Sequence, residues 1–257
     1  MFKQQLSSNK NIRIAIIGTG FGGLGLAIQL KLAGFEQFTL FEKANDVGGV
    51  WRDNTYPGAA CDVPSHLYSF SFEQELGWKN RYGSSQEIHQ YLKHCTEKYQ
   101  LYPHIQFNTE IASADFDATQ GVWHIQSLTG EKFEAEFLIA AVGQLNRPAY
   151  PKIKGLDSFK GKAFHSARWD HDDDLNNKRV AVIGTGASAI QFVPEIVKQV
   201  AHLDIYQRSA PYVIPNQTVF IQNWNEKHFK NFPFCKALIA YFNIVITRSA
   251  SKALPQP

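Results

Sequence analysis

A short apolar run broken by a glycine turn occurs twice in this sequence, and the repetition limits the fold more than any other feature. Residues 12–17 are a short run of isoleucines broken only by Arg13 and Ala15, which suits a buried parallel strand. The run Gly18-Thr19-Gly20-Phe21-Gly22-Gly23 ends that strand. Apolar residues then recur at helical spacing through Leu24, Leu26, Ile28, Leu30 and Leu32, with Gly34 as a C-terminal stop. Residues 38–42 read as a second strand. The pattern returns later as a buried strand over 180–183, the turn Gly184-Thr185-Gly186-Ala187-Ser188-Ala189, a helix over 187–200 and a strand over 203–207. Strand–turn–helix–strand units of this kind predict an α/β chain with two Rossmann-like dinucleotide-binding units.

Each glycine of the first turn has a physical task. Gly18 permits the tight turn, Gly20 lets the backbone approach a pyrophosphate, and Gly23 lets the helix pack closely on the strand. The pyrophosphate would sit on the N–H groups of the helix N-terminus. Glu42, at the end of the next strand, can accept hydrogen bonds from ribose hydroxyls. In the second turn Ala189 replaces the third glycine, which the fingerprint tolerates. No acid ends its second strand. Arg208 and Ser209 stand there instead, and an arginine suits the 2′-phosphate of NADP. The other reading of Arg208 is a solvated residue at a strand end.

Between the two units the pattern changes. Residues 43–72 form a long irregular stretch rich in Gly, Pro, Asn and aromatics, too apolar for a disordered segment. A helix is expected over 85–99, with a serine cap and Glu87 near its start. From 110 to 137 a period of two, punctuated by turn residues, predicts an antiparallel meander. A buried strand is expected over 138–142, and 147–151, with two prolines, reads as a connection between domains. The expected division is a first dinucleotide-binding segment over 1–148, a linker over 149–178 and part of a second dinucleotide-binding domain over 179–257.

Composition removes several classes. The 257 residues carry 26 basic and 23 acidic side chains, scattered rather than clustered, which argues against a nucleic-acid partner. Cys61, Cys95 and Cys235 are odd in number and far apart, which argues against a disulfide framework, a zinc site or a dithiol redox centre. The polar N-terminus lacks the features of a signal peptide. The apolar stretch 237–246 falls well short of the roughly 20 residues that cross a bilayer. A cytoplasmic protein without a transmembrane span is therefore expected.

Two dinucleotide units split by a meander resemble the flavoproteins that hold FAD in the first site and NAD(P)H in the second. Three stretches narrow the resemblance. Gly48-Gly49-Val50-Trp51 followed by Asn54-Thr55-Tyr56-Pro57-Gly58-Ala59-Ala60-Cys61-Asp62 is similar to the flavin-proximal loop of Baeyer–Villiger monooxygenases. Ala140-Ala141-Val142-Gly143-Gln144-Leu145 resembles the segment that closes their FAD domain. The stretch from Phe159 through Gly161 and His165 to Trp169 and Asp170 matches the F-x-G-x-x-x-H-x-x-x-W fingerprint of that family. Related N-oxygenating flavin monooxygenases carry a similar stretch with a different ending. The resemblance implies FAD near Gly18, Gly20, Phe21, Gly23, Glu42, Lys43, Gly49, Trp51, Asp62, Tyr68, Ile111 and Gln144. It implies NADPH near Gly184, Thr185, Gly186, Ser188, Arg208 and Ser209. It gives His165 a hinge role during NADPH handling, and Asp62 the task of tuning an active-site arginine. Read from the residues alone, His165 is a hydrogen-bonded linker histidine. A carboxylate such as Asp62 in an apolar loop needs a partner, or else caps its own loop.

Family members are about twice as long, and this chain lacks the stretch in which that arginine lies. A truncated product is therefore expected, with a complementing C-terminal fragment as one partner. The implied reaction inserts one oxygen of O2 into a ketone to give an ester or lactone. An N- or S-oxygenating monooxygenase and an inactive nucleotide-binding fragment are the alternatives. A flavin disulfide reductase is disfavoured by the absence of a cysteine pair.

Overall fold

The computed structural model describes residues 10–74 and 77–211. The chain divides into two compact units, one drawn from Met1–Thr55 and His89–Trp169, the other from Tyr56–Ile88 and Asp170–Pro257. The expectations for Cys235 and for 237–246 lie outside the described residues.

The first unit begins with β1 (Ile14–Ile17), α1 (Phe21–Leu32) and β2 (Phe38–Phe41), the order read from the sequence. A helical turn, α2 (Val50–Asp53), and the longer α3 (Ser85–Lys98), which belongs to this unit from His89 on, follow. After a 3-10 turn come β3 (Ile105–Gln106), the meander β4 (Ile111–Asp117), β5 (Val122–Ser127) and β6 (Lys132–Ala135), and then β7 (Phe137–Ala140). The strands β3-β2-β1-β7 form one sheet in that order, every neighbouring pair parallel. Both flanks of β1 are occupied, so its side chains are almost wholly enclosed, and Leu24, Ala27 and Ile28 of α1 are fully buried. The meander is antiparallel, as its period of two requires. It buries Ile125 and Ala135 with Ala15 and Phe41 of the parallel sheet, and the Phe41 and Phe133 rings lie 4.7 Å apart.

Two expectations for this unit need correction, and one strand went unread. The stretch 43–72 is not wholly irregular, because Val50–Asp53 is helical. β3 pairs with β2 over two residues, too few for any periodicity to register. The strand expected to be buried over 138–142 is β7, and Phe137 is 55% and Val142 49% exposed. Among the described residues β7 is paired only with β1. An apolar run there reported strand formation but not coverage on both sides.

α3 starts with a reciprocal cap. The Glu87 backbone N–H donates to Ser84 Oγ at 3.2 Å, and the Ser84 N–H donates to Glu87 Oε2 at 3.0 Å. That is the capping box, which satisfies two otherwise orphaned donors. Ser84→Ala is expected to lower stability by about 1 kcal/mol, measured as a shift in the urea midpoint without a change in slope.

In the second unit β8 (Arg179–Ile183) and β9 (His202–Tyr206) pair in parallel, with α4 (Ala187–Ile196) between them. α4 ends four residues short of the expected limit, where Val197 supplies the C-cap. The expected burial of β8 also fails: only Val182 is buried, and Ile183 is 55% exposed. Two strands with one helix leave part of each strand face uncovered among the described residues. Residues 56–88 belong to this unit as well, and within them an isolated antiparallel bridge pairs Ala60 with Ser84.

Candidate functional site

The glycines of the first turn behave differently when a Cβ is imagined on each. Gly18 holds φ +104°, and a Cβ there would lie 2.7 Å from the Ala141 carbonyl oxygen. A Cβ on Gly23 would overlap the Gly18 carbonyl oxygen itself. These two glycines are demanded by strand, helix and turn packing. Gly20 is not: a Cβ there would meet only the Gly49 Cα, at 3.9 Å. Gly20 is the N-cap of α1, with no side-chain cap and no acid in the first turn. The end of α1 therefore presents a positive dipole with no acidic side chain of its own in the first turn. That combination fits a phosphate group.

Gly49 closes the other side of this cradle. It holds φ +55°, and its own Cβ would lie 3.2 Å from the Gly20 Cα. The approach is fixed by the Gly48 N–H, which donates to the Thr19 carbonyl at 2.9 Å. Trp51 follows in α2, and its N–H donates to the Gly48 carbonyl. Phe21 faces Tyr91 of α3, the ring centroids 6.1 Å apart.

Glu42 is buried beside the turn. Its Oε2 accepts from the Thr19 N–H at 3.1 Å and from Thr19 Oγ at 2.6 Å. Its Oε1 accepts from the Ala44 N–H at 3.0 Å and pairs with Arg52 at 3.2 Å. Four donors use the acceptor capacity of one carboxylate. Burial opposes the Arg52 charge, but bonding to Asp53 and attraction to Glu42 outweigh it and hold the guanidinium above its ordinary pKa. Arg52 had no signal in the sequence, since no spacing rule links it to Glu42.

A second cluster went unread for the same reason. His89 and Lys93 sit one turn apart on α3 and both reach Asp46, at 3.4 and 3.1 Å, while His89 Nε2 lies 2.9 Å from the Val47 carbonyl. They pin the segment that leads into Gly48-Gly49. Their i, i+4 spacing marked one helix face, but nothing pointed to a partner more than forty residues earlier.

The remaining residues expected in the first unit are dispersed. Lys43 donates to Asn146 Oδ1 at 2.8 Å, and the Asn146 carbonyl in turn accepts from Arg168. Ile111 opens β4 beside a register shift. Gln144 is exposed after β7. His165 caps a 3-10 turn: its Nδ1 accepts from the Ala167 N–H at 3.0 Å, and its ring meets Tyr150 edge-on at 5.4 Å. Trp169 packs edge-on against Phe164.

In the second unit a Cβ at Gly184 or Gly186 would meet nothing within 4 Å. Gly184 holds φ +105°, and Gly186 caps α4 with no side-chain cap and no acid in the first turn. This repeats the uncapped, acid-free helix start of the first turn, with Ser188 on the first turn of the helix. Thr185 Oγ accepts from Gln207 Nε2 at 3.3 Å, and Arg208 and Ser209 lie exposed just beyond β9. Tyr68 is half-buried, its N–H donating to the Pro64 carbonyl. Asp62 is exposed, so the premise of a carboxylate held in an apolar loop does not hold among the described residues. Its neighbour Cys61 is enclosed, and burial pushes its thiol up to about 11. In the folded chain Cys61 is therefore expected to resist iodoacetamide at pH 8, its alkylation rising only as the pH nears 11.

Residues 11–225 match FMO-like, the flavin-binding monooxygenase-like family. This chain belongs to that family. Among curated relatives of this family member, a Baeyer–Villiger monooxygenase of Pseudomonas aeruginosa is 49% identical over 229 residues, which are 89% of this chain and 44% of that protein. Among solved structures, a steroid monooxygenase bound to NADP superposes with a TM-score of 0.77 at 39% identity, covering 83% of this chain and 42% of that one. An OTEMO complex with FAD and NADP superposes at 0.75 and 31% identity, covering 82% of this chain and 42% of that one. The chain thus spans less than half the length of these relatives. Among the described residues no helix is long and apolar enough to cross a membrane.

Proposed function

We propose that this chain is the cofactor-binding part of an NADPH- and FAD-dependent monooxygenase that inserts one oxygen atom of O2 beside a ketone carbonyl, giving an ester or lactone. The observation that carries the proposal is the cradle at Gly20. It is an acid-free helix start, open where a Cβ would be and closed by Gly49, with the buried Glu42 carboxylate alongside. Gly18, Gly20 and Gly49 would hold the FAD pyrophosphate on the α1 N-terminus, and Glu42 would accept from ribose hydroxyls. Phe21, Lys43, Trp51, Asp62, Tyr68, Ile111 and Gln144 are proposed around the same nucleotide. Gly184, Thr185, Gly186 and Ser188 would hold the pyrophosphate of NADPH, and Arg208 with Ser209 its 2′-phosphate. Bound FAD, reduced by NADPH, supplies the oxygen-activating chemistry.

The Trp169-Asp170 ending of the fingerprint and the names of the relatives favour ketone oxygenation over N- or S-oxygenation. We assign 1–148 to the FAD segment, 149–178 to the linker, with His165 as its hinge, and 179–257 to the NADPH segment. We place the protein in the cytoplasm. A complementing polypeptide that covers β7 is the proposed macromolecular partner, supported by the exposure of Phe137 and Val142.

The test is direct. The purified chain, titrated with FAD, is expected to turn yellow and to bleach when NADPH is added under nitrogen. Readmitting O2 with a ketone panel, with the complementing polypeptide present, is expected to yield an ester. Failure to take up FAD sinks the cofactor assignment, and N-oxides or sulfoxides without esters would favour the N/S-oxygenating reading.

A further inference from the structure

We infer that Gln191 is a positioning residue of the second nucleotide site: its side-chain amide clasps residues 56–61 to α4, so that a nucleotide held at the α4 N-terminus also fixes the loop leading to Asp62. The inference rests on reading the Gly184–Ser188 turn as an NADPH site.

The clasp uses both ends of the amide. Gln191 Oε1 accepts from the Tyr56 hydroxyl at 2.8 Å and from the Ala60 N–H at 3.3 Å, while Nε2 donates to the Ala60 carbonyl at 2.8 Å. The side chain thus reads the N–H and C=O of one residue, as a neighbouring strand would. Gly58, at φ +76°, brings the turn onto the helix backbone, where a Cβ would lie 2.8 Å from the Gln191 carbonyl oxygen. The Tyr56 ring packs edge-on against Phe192, 6.2 Å away. The far side of the turn is tied down as well. The Cys61 N–H donates to the Gly83 carbonyl, and the Ser85 N–H to the Ala59 carbonyl.

A leucine at 191 would fill the same space but leave the Ala60 amide and the Tyr56 hydroxyl without these partners. The polar side chain therefore serves the loop's geometry rather than its burial. Gln191 stands one turn beyond Ala187, about 6 Å along a rigid helix whose first N–H groups face the second glycine turn. Whatever orders that end of α4 orders the clasp.

Hydrogen exchange on the full chain, with and without NADP+, decides the matter. In Gln191→Ala without nucleotide, the peptide covering 56–62 is expected to exchange about tenfold faster than in wild type, the scale of a lost hydrogen-bonded cluster. In wild type NADP+ is expected to slow that peptide further. In Gln191→Ala this extra protection disappears, while the Kd for NADP+, read by fluorescence titration, changes less than about threefold because no pyrophosphate contact is removed. A purely structural glutamine would not uncouple loop protection from nucleotide binding. Gln191→Glu keeps an oxygen for Tyr56 and the Ala60 N–H but loses the donor to the Ala60 carbonyl. It is expected to show a partial loss, and it stands in should the alanine variant fail to fold. Unchanged exchange in the variants, or full NADP+ protection surviving in them, overturns the inference alone. Absence of NADP+ binding in wild type overturns the nucleotide assignment and this inference with it.

Discussion

Gly23→Ala is expected to cost at least about 3 kcal/mol and to abolish flavin binding, whereas Gly20→Ala leaves the fold nearly intact and loses flavin selectively. The two substitutions add the same methyl group three residues apart. At Gly23 it enters the Gly18 carbonyl oxygen, a backbone atom held by the β1–α1 turn. Neither helix nor strand can yield without moving the sheet, so the cost sits at or above the top of the range for overpacked interiors. At Gly20 the nearest atom is the Gly49 Cα at 3.9 Å, and the backbone lies in the extended region open to any residue. Losing glycine at a helix N-cap is a modest penalty. The methyl would instead occupy the space proposed for the pyrophosphate, and an affinity loss of about 100-fold or more is expected. Thermal melting with and without FAD separates the cases: a low melting temperature in both conditions for Gly23→Ala, and for Gly20→Ala a near-normal melting temperature that FAD no longer raises. Equal behaviour of the two variants would contradict the division of labour among these glycines.

Glu42→Gln is the second large effect. The carboxylate side chain is 5% exposed and its Arg52 partner 13%, so removing one charge strands the other in a poorly solvated place. Breaking a buried pair commonly costs about 3–5 kcal/mol. Asp53 also pairs with Arg52, at 2.8 Å, and keeps the expected loss near the lower limit, about 3 kcal/mol. Replacing both members as Glu42→Gln with Arg52→Met is expected to cost less than the sum of the single changes, because the stranded guanidinium is gone. Urea denaturation of the three variants measures the coupling, and strict additivity would show that the pair contributes nothing. The same crowding bears on cofactor binding. All four acceptor positions of Glu42 are engaged, so a ribose hydroxyl can bond there only by sharing with, or displacing, Thr19, Ala44 or Arg52. Flavin affinity in Arg52→Met is accordingly expected to rise relative to stability-matched controls.

Local pattern carried much of the architecture. Glycine at 18 and 23 reports a steric requirement that any strand–turn–helix of this type imposes, and the Cβ geometry meets it at both positions. The meander and a serine cap at the start of α3 were legible because period and capping chemistry are short-range. What escaped was set by contacts distant in sequence. Arg52 finds Glu42, His89 and Lys93 find Asp46, and Gln191 finds Ala60 across spans that no local rule encodes. Burial was misjudged at β7 and β8 for a related reason. An apolar run states what a strand can tolerate, while exposure depends on which elements lie beside it. Asp62 shows the converse error, since a loop apolar in sequence still turned its carboxylate to solvent.

The place of β7 in the sheet has a consequence for how the chain acquires its shape. Ile17 pairs with Ala140, and Gly18 packs against Ala141, so the first glycine turn is closed by residues roughly 120 positions further along, a separation that slows folding. During synthesis the turn emerges well before its closing strand, which does not exist until about 120 further residues have been added. Loop-closure entropy must be met before that pairing returns any stabilisation. Competence to hold a nucleotide at Gly20 should therefore arise late and all at once. In refolding experiments, helical signal is expected to return before the ability to quench flavin fluorescence.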